Sequence, residues 1–159
     1  MAEIPPPMQA LGRVVSGLYI VTAENGGQRV AFLASWVVQA GFNPPAVSVA
    51  IKQDRPIMRQ IGRGARLCLS ILGKEDKALM GQFAKAFAPD ADPFAGADIG
   101  RTEKGTPYLK DALGYLELEV MRVLEPSTEH NLVSAEVVGG AMLKEGEPWS
   151  HVRRNGANY

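Results

Sequence analysis

The sequence predicts a mainly β fold, an antiparallel barrel with short helices on its outside. Three observations carry that expectation: about six strand-like runs, two short helical patterns, and no regular alternation of strand with helix. The 159 residues are 46% apolar and 21% charged, enough for one packed core. No repeat, low-complexity tract or linker interrupts them, so residues 1–159 read as a single domain.

Pro5-Pro6-Pro7 closes an extended arm, and Met8 to Val15 has the composition of a short helix. Leu18 to Ala23 and Val30 to Ser35 are β-type runs on either side of Asn25-Gly26-Gly27, a strong short-range hairpin signal. Trp36 to Phe42 then meets Asn43-Pro44-Pro45, where two successive residues lack a backbone donor and should break the ladder.

Ala46 to Lys52 alternates Val47, Val49 and Ile51 against Ser48, Ala50 and Lys52, the period of a sheet with two unlike faces. Asp54 is placed to cap a helix that opens at Pro56 and sets Ile57, Met58 and Ile61 on one face. Leu67, Leu69 and Ile71 alternate with Cys68 and Ser70 in a further strand. Lys74 to Phe87 has Leu79, Met80, Phe83 and Phe87 at helical spacing. Pro89 to Pro107 is a long loop, the kind that often serves as a lid or dimer contact. Ala112 to Leu124, with Leu116, Leu118 and Val120 opposing Glu117 and Glu119, should pair with Leu132 to Leu143 ahead of an irregular tail.

Lys plus Arg and Asp plus Glu balance at 17 each, so the basic excess of a nucleic-acid or membrane-surface protein is missing. A lone cysteine, Cys68, excludes an internal disulfide and reads as a buried thiol in a reducing compartment. Met1 to Met8 lacks the basic and apolar regions of a secretory signal, and no apolar run approaches a membrane span. A cytoplasmic location is the expectation.

Gly-x-Ser-x-Gly, Walker-type, His-Glu-x-x-His and Gly-x-Gly-x-x-Gly motifs are all missing. One cysteine with His130 and His151 cannot close a zinc site unaided, so no metal is expected. Read alone, Ala34-Ser35 is an ordinary strand end, Trp36 a core filler, His130 a turn residue, and Arg153-Arg154 a solvated tail. Lys52-Gln53-Asp54-Arg55, at a strand-to-helix junction, suits a phosphate through backbone donors and the charges of Lys52 and Arg55.

Taken in order, Ala31-Phe32-Leu33-Ala34-Ser35-Trp36, Phe42-Asn43-Pro44-Pro45, Val47 to Ile51, Asp54-Arg55, Phe87-Ala88-Pro89, Gly105-Thr106-Pro107, Ala112 to Glu117, Glu129-His130 and His151 to Tyr159 resemble the flavin reductase-like family of FMN-binding split barrels. Within it they look most like the flavin reductase module of cyanobacterial flavodiiron proteins. The resemblance implies an antiparallel split barrel, a homodimer, and FMN (with FAD the alternative) held by Leu33, Ala34, Ser35, Trp36, Lys52, Gln53, Arg55, Phe87, His151 and Tyr159. It implies NAD(P)H as electron donor, with His130 near the nicotinamide as the catalytic residue. Electrons would pass to free flavin, oxygen or a redox partner protein. A non-catalytic FMN electron carrier and a flavin-free scaffold are the alternatives.

Overall fold

The computed structural model describes residues 3–126 and 128–158. Helix α1 (Pro6–Leu11) precedes strands β1 (Ser16–Gly17), β2 (Tyr19–Asn25), β3 (Gln28–Ala34), β4 (Val37–Phe42) and β5 (Pro45–Lys52). A 3₁₀ turn at Pro56–Arg59 leads to β6 (Arg66–Ile71) and helix α2 (Lys77–Phe83). Then come β7 (Ile99–Arg101), β8 (Pro107–Leu109), β9 (Gly114–Leu124), β10 (His130–Met142) and β11 (Ser150–His151).

Seven strands make one antiparallel sheet in the order β3-β2-β6-β9-β10-β5-β4. Its edge strands β3 and β4 are consecutive in the chain, with only Ser35 and Trp36 between them. Three chain steps reach at most about 11 Å, so the two edges are forced together and the sheet rolls up. No ladder joins β3 to β4 among the described residues, which leaves the barrel split along this seam.

Side-chain alternation fills the barrel from every strand. Val21 and Phe32 meet Val47, Val49, Ile51, Leu67, Leu69, Leu118, Val120 and Val133 inside, as the period of each run predicts. The opposite faces of β2 and β3 carry Ile20 and Ala31, with Leu18 just ahead of β2, into a second cluster under Leu79 and Phe83 of α2 and Phe94 of the following loop. Each fully buried aliphatic side chain in these clusters contributes on the order of 1.5–3 kcal/mol.

Several local expectations are corrected. The β2–β3 loop is Gly26-Gly27, whose φ values of 58° and 81° are the left-handed pair that a two-residue hairpin turn requires. Asn43-Pro44 does not interrupt pairing but forms the turn itself, with a cis peptide, while Phe42 and Pro45 remain partners.

The helices are shorter than Met8–Val15 and Lys74–Phe87 imply. Predicted helix at Pro56 is a single 3₁₀ turn, capped by Arg55 without a side-chain hydrogen bond, and Asp54 instead pairs with Lys52 at 3.2 Å. The Pro89–Pro107 loop contains β7 and buries Phe94. Nor is the tail wholly irregular: β11 pairs with β1, the Arg153 amide donates to Gly12 and the Gly156 amide to Met8. Any side chain at Gly12 would strike the Asn155 backbone, so this clasp needs a glycine there. No helix among the described residues is long and apolar enough to cross a membrane.

Candidate functional site

The seam places Ala34, Ser35 and Trp36 where both sheet edges converge. Ala34 and Ser35 are buried, and Trp36 is half-buried with its carbonyl accepting the Ala50 amide at 2.9 Å. Its indole is flanked from two distant segments. The His130 imidazole lies 4.7 Å away, centre to centre, and the Arg153 guanidinium carbon lies 5.2 Å from the ring centre, within cation–π range.

His130 begins β10 opposite Lys52 at the end of β5. Its Nδ1 lies 3.3 Å from Glu129 Oε1, and its amide donates to Thr128 Oγ1 at 3.3 Å. A hydrogen bond from its own backbone amide, and next the neighbouring His130, holds the Glu129 carboxyl below its ordinary range. Gln53 supports this turn from beneath. Its amide donates to the Glu129 carbonyl, and its Nε2 donates to the Thr128 carbonyl and to Asn131 Oδ1, all at 3.0 Å.

A second arrangement runs along the free edge of β3. Arg55 lies over the Phe32 ring at 4.9 Å, and a cavity of about 160 Å³ opens between Phe32, Arg55, Lys85, Phe87 and Arg29. That volume is below the roughly 300–1,000 Å³ of a pocket that encloses a whole ligand, so the cavity suits one end of a longer molecule. An edge strand also presents unpaired backbone donors and acceptors to whatever lies beside it. With aromatic side chains at the seam and cations along the β3 edge, these residues fit a flavin nucleotide.

The structure therefore brings Ala34, Ser35, Trp36 and His130 together at the seam, with Lys52 and Gln53 behind, and Arg55 with Phe87 along the β3 edge. Leu33 points away from the barrel interior and packs with the outer cluster. His151 is fixed opposite Ser16 in the β1–β11 ribbon, and Tyr159 lies outside the described residues. Behind Lys52 to Arg55 stands one 3₁₀ turn instead of the expected helix terminus, and a single turn has little dipole to offer a phosphate.

Sequence reasoning missed Arg153, Lys85 and the supporting Asn131. Arg153 stands in the terminal run read as a solvated tail, and Lys85 is two residues before Phe87. Only the fold reveals their neighbours. No group of His, Cys, Asp and Glu among the described residues could hold a metal ion.

The family of the flavin reductase like domain matches residues 11–157. Diflavin flavoprotein A 1 of Synechocystis sp. is 44% identical over 95% of this chain, which covers 26% of that protein. Putative diflavin flavoprotein A 6 of Nostoc sp. is 40% identical over 95% of this chain and 27% of its own length. The chain thus spans about a quarter of the length of these curated relatives. A flavin reductase domain protein from Arthrobacter sp. FB24 superposes with a TM-score of 0.79 at 22% identity, covering 90% of this chain and 87% of that one. An NADH:FAD oxidoreductase of Streptomyces globisporus superposes with a TM-score of 0.83 at 20% identity, covering 96% and 94%.

Proposed function

Since the chain belongs to the flavin reductase like family, we propose that it binds FMN across the seam and the β3 edge and works as an NAD(P)H-dependent flavin reductase. The observation that carries this reading is the convergence of Trp36, His130 and Arg153 beside the small residues Ala34 and Ser35. A bound flavin would supply the redox chemistry, with a nicotinamide nucleotide as the hydride source and free flavin, oxygen or a partner as the electron acceptor.

The side chains bind and orient. Ala34 leaves the backbone open to a ring, and the Ser35 hydroxyl donates a hydrogen bond to it. Trp36 forms an apolar wall, and Arg55 neutralises the phosphate. His130, held by Glu129, Thr128 and Gln53, lines the nicotinamide side. Gln53 is a positioning residue, since its amide is already engaged by the turn that carries His130. The protein is proposed to act in the cytoplasm as a homodimer with one flavin per chain.

The diflavin flavoproteins it resembles favour a second reading, an FMN relay fed by another redox centre. Anaerobic addition of NADH or NADPH to the flavin-loaded protein separates the two. Bleaching of the flavin absorbance on the millisecond-to-second scale supports the reductase, whereas a yellow protein inert to both nucleotides supports the relay. A protein that takes up no flavin sinks both.

A further inference from the structure

We infer that the barrel end carrying the 3₁₀ turn holds a docking groove for an acidic segment of a partner protein, with a methionine-rich floor and three uncompensated arginines. The inference goes beyond the flavin-binding reading and does not depend on it.

The charge is concentrated by the sequence. Residues 55–66 contain Arg55, Arg59, Arg63 and Arg66 and no acid, in a chain whose charges balance at 17 each. Arg66 is neutralised, with Nη2 2.6 Å from Glu119 Oε2, and Arg55 lies over the Phe32 ring at the β3 edge. Arg59 and Arg63, with Arg122 of β9, are exposed and have no carboxylate partner among the described residues.

The backbone builds the groove. Ser134 pairs with Arg122 and Ala135 with Val120, so Met121 is the extra residue of a β-bulge, a feature that re-aims a side chain. Beside it, the Gly64 amide donates to the Val120 carbonyl at 2.8 Å, and the Val120 amide donates to the Ala65 carbonyl at 2.9 Å. These two bonds pin the loop that carries Arg63 against the strand that carries Arg122. Met58 and Ile61, packed on the core, share with Met121 and Val123 a cavity of about 1010 Å³.

That volume stands at the upper end of the roughly 300–1,000 Å³ of small-ligand pockets, so several side chains of a chain segment fill it better than one small molecule. Its buried polar side chain, Asn131, is already engaged by Gln53 Nε2 at 3.0 Å. Methionine and arginine are enriched where proteins meet, and thioethers repack readily around different apolar surfaces. Unpaired arginines around such a floor attract carboxylates and reject a basic surface. Glu125 lines the groove as well, but it forms no ion pair with them. Asn131 follows His130 directly, so a partner seated here lies next to the seam.

Methionine-methyl NMR of the full chain reads the groove directly. Met58 and Met121 line it, whereas Met8, Met80 and Met142 stand in α1, in α2 and at the end of β10. The probe is a short synthetic peptide of glutamates interrupted by leucines, and a peptide with lysine in place of glutamate is the control. The Met58 and Met121 signals should shift with the acidic peptide, with or without bound flavin, and stay in place with the basic one. Raising salt from about 0.05 M to about 0.5 M should weaken the acidic peptide by about tenfold. Arg63→Glu and Arg122→Glu, both at exposed positions, should each weaken it by about tenfold, and the double variant should bind the basic peptide instead.

No shift of either methyl with the acidic peptide overturns the inference, as do equal shifts with both peptides. Affinity unchanged in both charge-reversal variants overturns it too. Tighter binding of a single-stranded oligonucleotide at the same two methyls gives the groove to nucleic acid. Shifts of these two signals with protein concentration alone give it to a second copy of the chain, and either result overturns the acidic partner.

Discussion

The rings of Trp36 and His130 lie 4.7 Å apart and inclined by 51°, joining the seam between the sheet edges to the first residue of β10. The His130 backbone is held by the Thr128 hydroxyl, and its Nδ1 lies 3.3 Å from the exposed Glu129 carboxylate. A residue held this firmly beside the proposed ring site can be tested separately from flavin affinity.

His130→Ala should therefore slow reduction by NAD(P)H by about tenfold, the scale of one lost hydrogen bond or packing contact. FMN affinity should stay nearly unchanged, and photochemically reduced protein should pass electrons onward at its normal rate. Stopped-flow absorbance beside a flavin titration measures both. Unchanged reduction of a fully loaded variant removes His130 from the mechanism.

Arg55→Ala should weaken FMN by about tenfold or more while changing riboflavin little, because only FMN presents a phosphate to the guanidinium. Fluorescence titration of the two ligands decides it. Equal losses would place the phosphate elsewhere.

Glu117 is buried on the outer face of β9, where its Oε1 accepts the Thr102 hydroxyl at 2.8 Å and stands 3.7 Å from Arg66. Glu117→Ala strips that hydroxyl of its acceptor and should cost about 1–3 kcal/mol. Urea unfolding at constant m-value reports the loss. A shift within experimental scatter would mean that water replaces the carboxylate there.

Burial, and then the nearby Glu117 carboxylate, push the Cys68 thiol from an ordinary 9.0 to about 12. The folded state therefore holds this proton more tightly than the unfolded chain does. The resulting stability is complete below about pH 9 and is lost as pH rises toward about 12. Thiol-specific reagents should react with Cys68 only on unfolding, and Cys68→Ala should flatten the fall in stability on the alkaline side. Rapid labelling of the native protein at neutral pH would contradict the burial.

Val38 and Phe42, on the edge strand β4, are 64% and 90% exposed. An apolar edge of this kind calls for cover. Light scattering of the flavin-saturated protein should report a dimer, and Phe42→Asp should shift it toward monomer. A native monomer at micromolar concentration would refute the homodimer.

Strand faces were legible in the sequence wherever one side is packed. Val47, Val49 and Ile51, and likewise Leu116, Leu118 and Val120, point inward as their period requires. Turns were less legible: Asn43-Pro44-Pro45 reads as a break until its partner strand is known, because the missing donors matter only if the ladder needs them. The helix at Pro56 was overread, since three apolar residues at helical spacing also suit one 3₁₀ turn packed over the barrel end. Of the candidate site, Ala34 to Trp36 and His130 were named from the family pattern. The Trp36–Arg153 stack was not, because it leaves no local signal along the chain.

The seam also constrains how the molecule assembles. Strands β3 and β4 leave the same two-residue link in opposite directions, and the path from one to the other crosses every other strand of the sheet. The hairpins β2–β3, β4–β5 and β9–β10 can form locally. The β2–β6, β6–β9 and β5–β10 ladders join distant stretches, each costing loop-closure entropy before its contacts return anything. Folding should therefore run in milliseconds to seconds, as in other domains of high contact order. The clasp that ties the amino-terminal arm to the tail, from the Ser16–His151 pairing to the Gly156–Met8 hydrogen bond, joins partners farther apart in the chain than any ladder of the seven-stranded sheet and should be among the last contacts made.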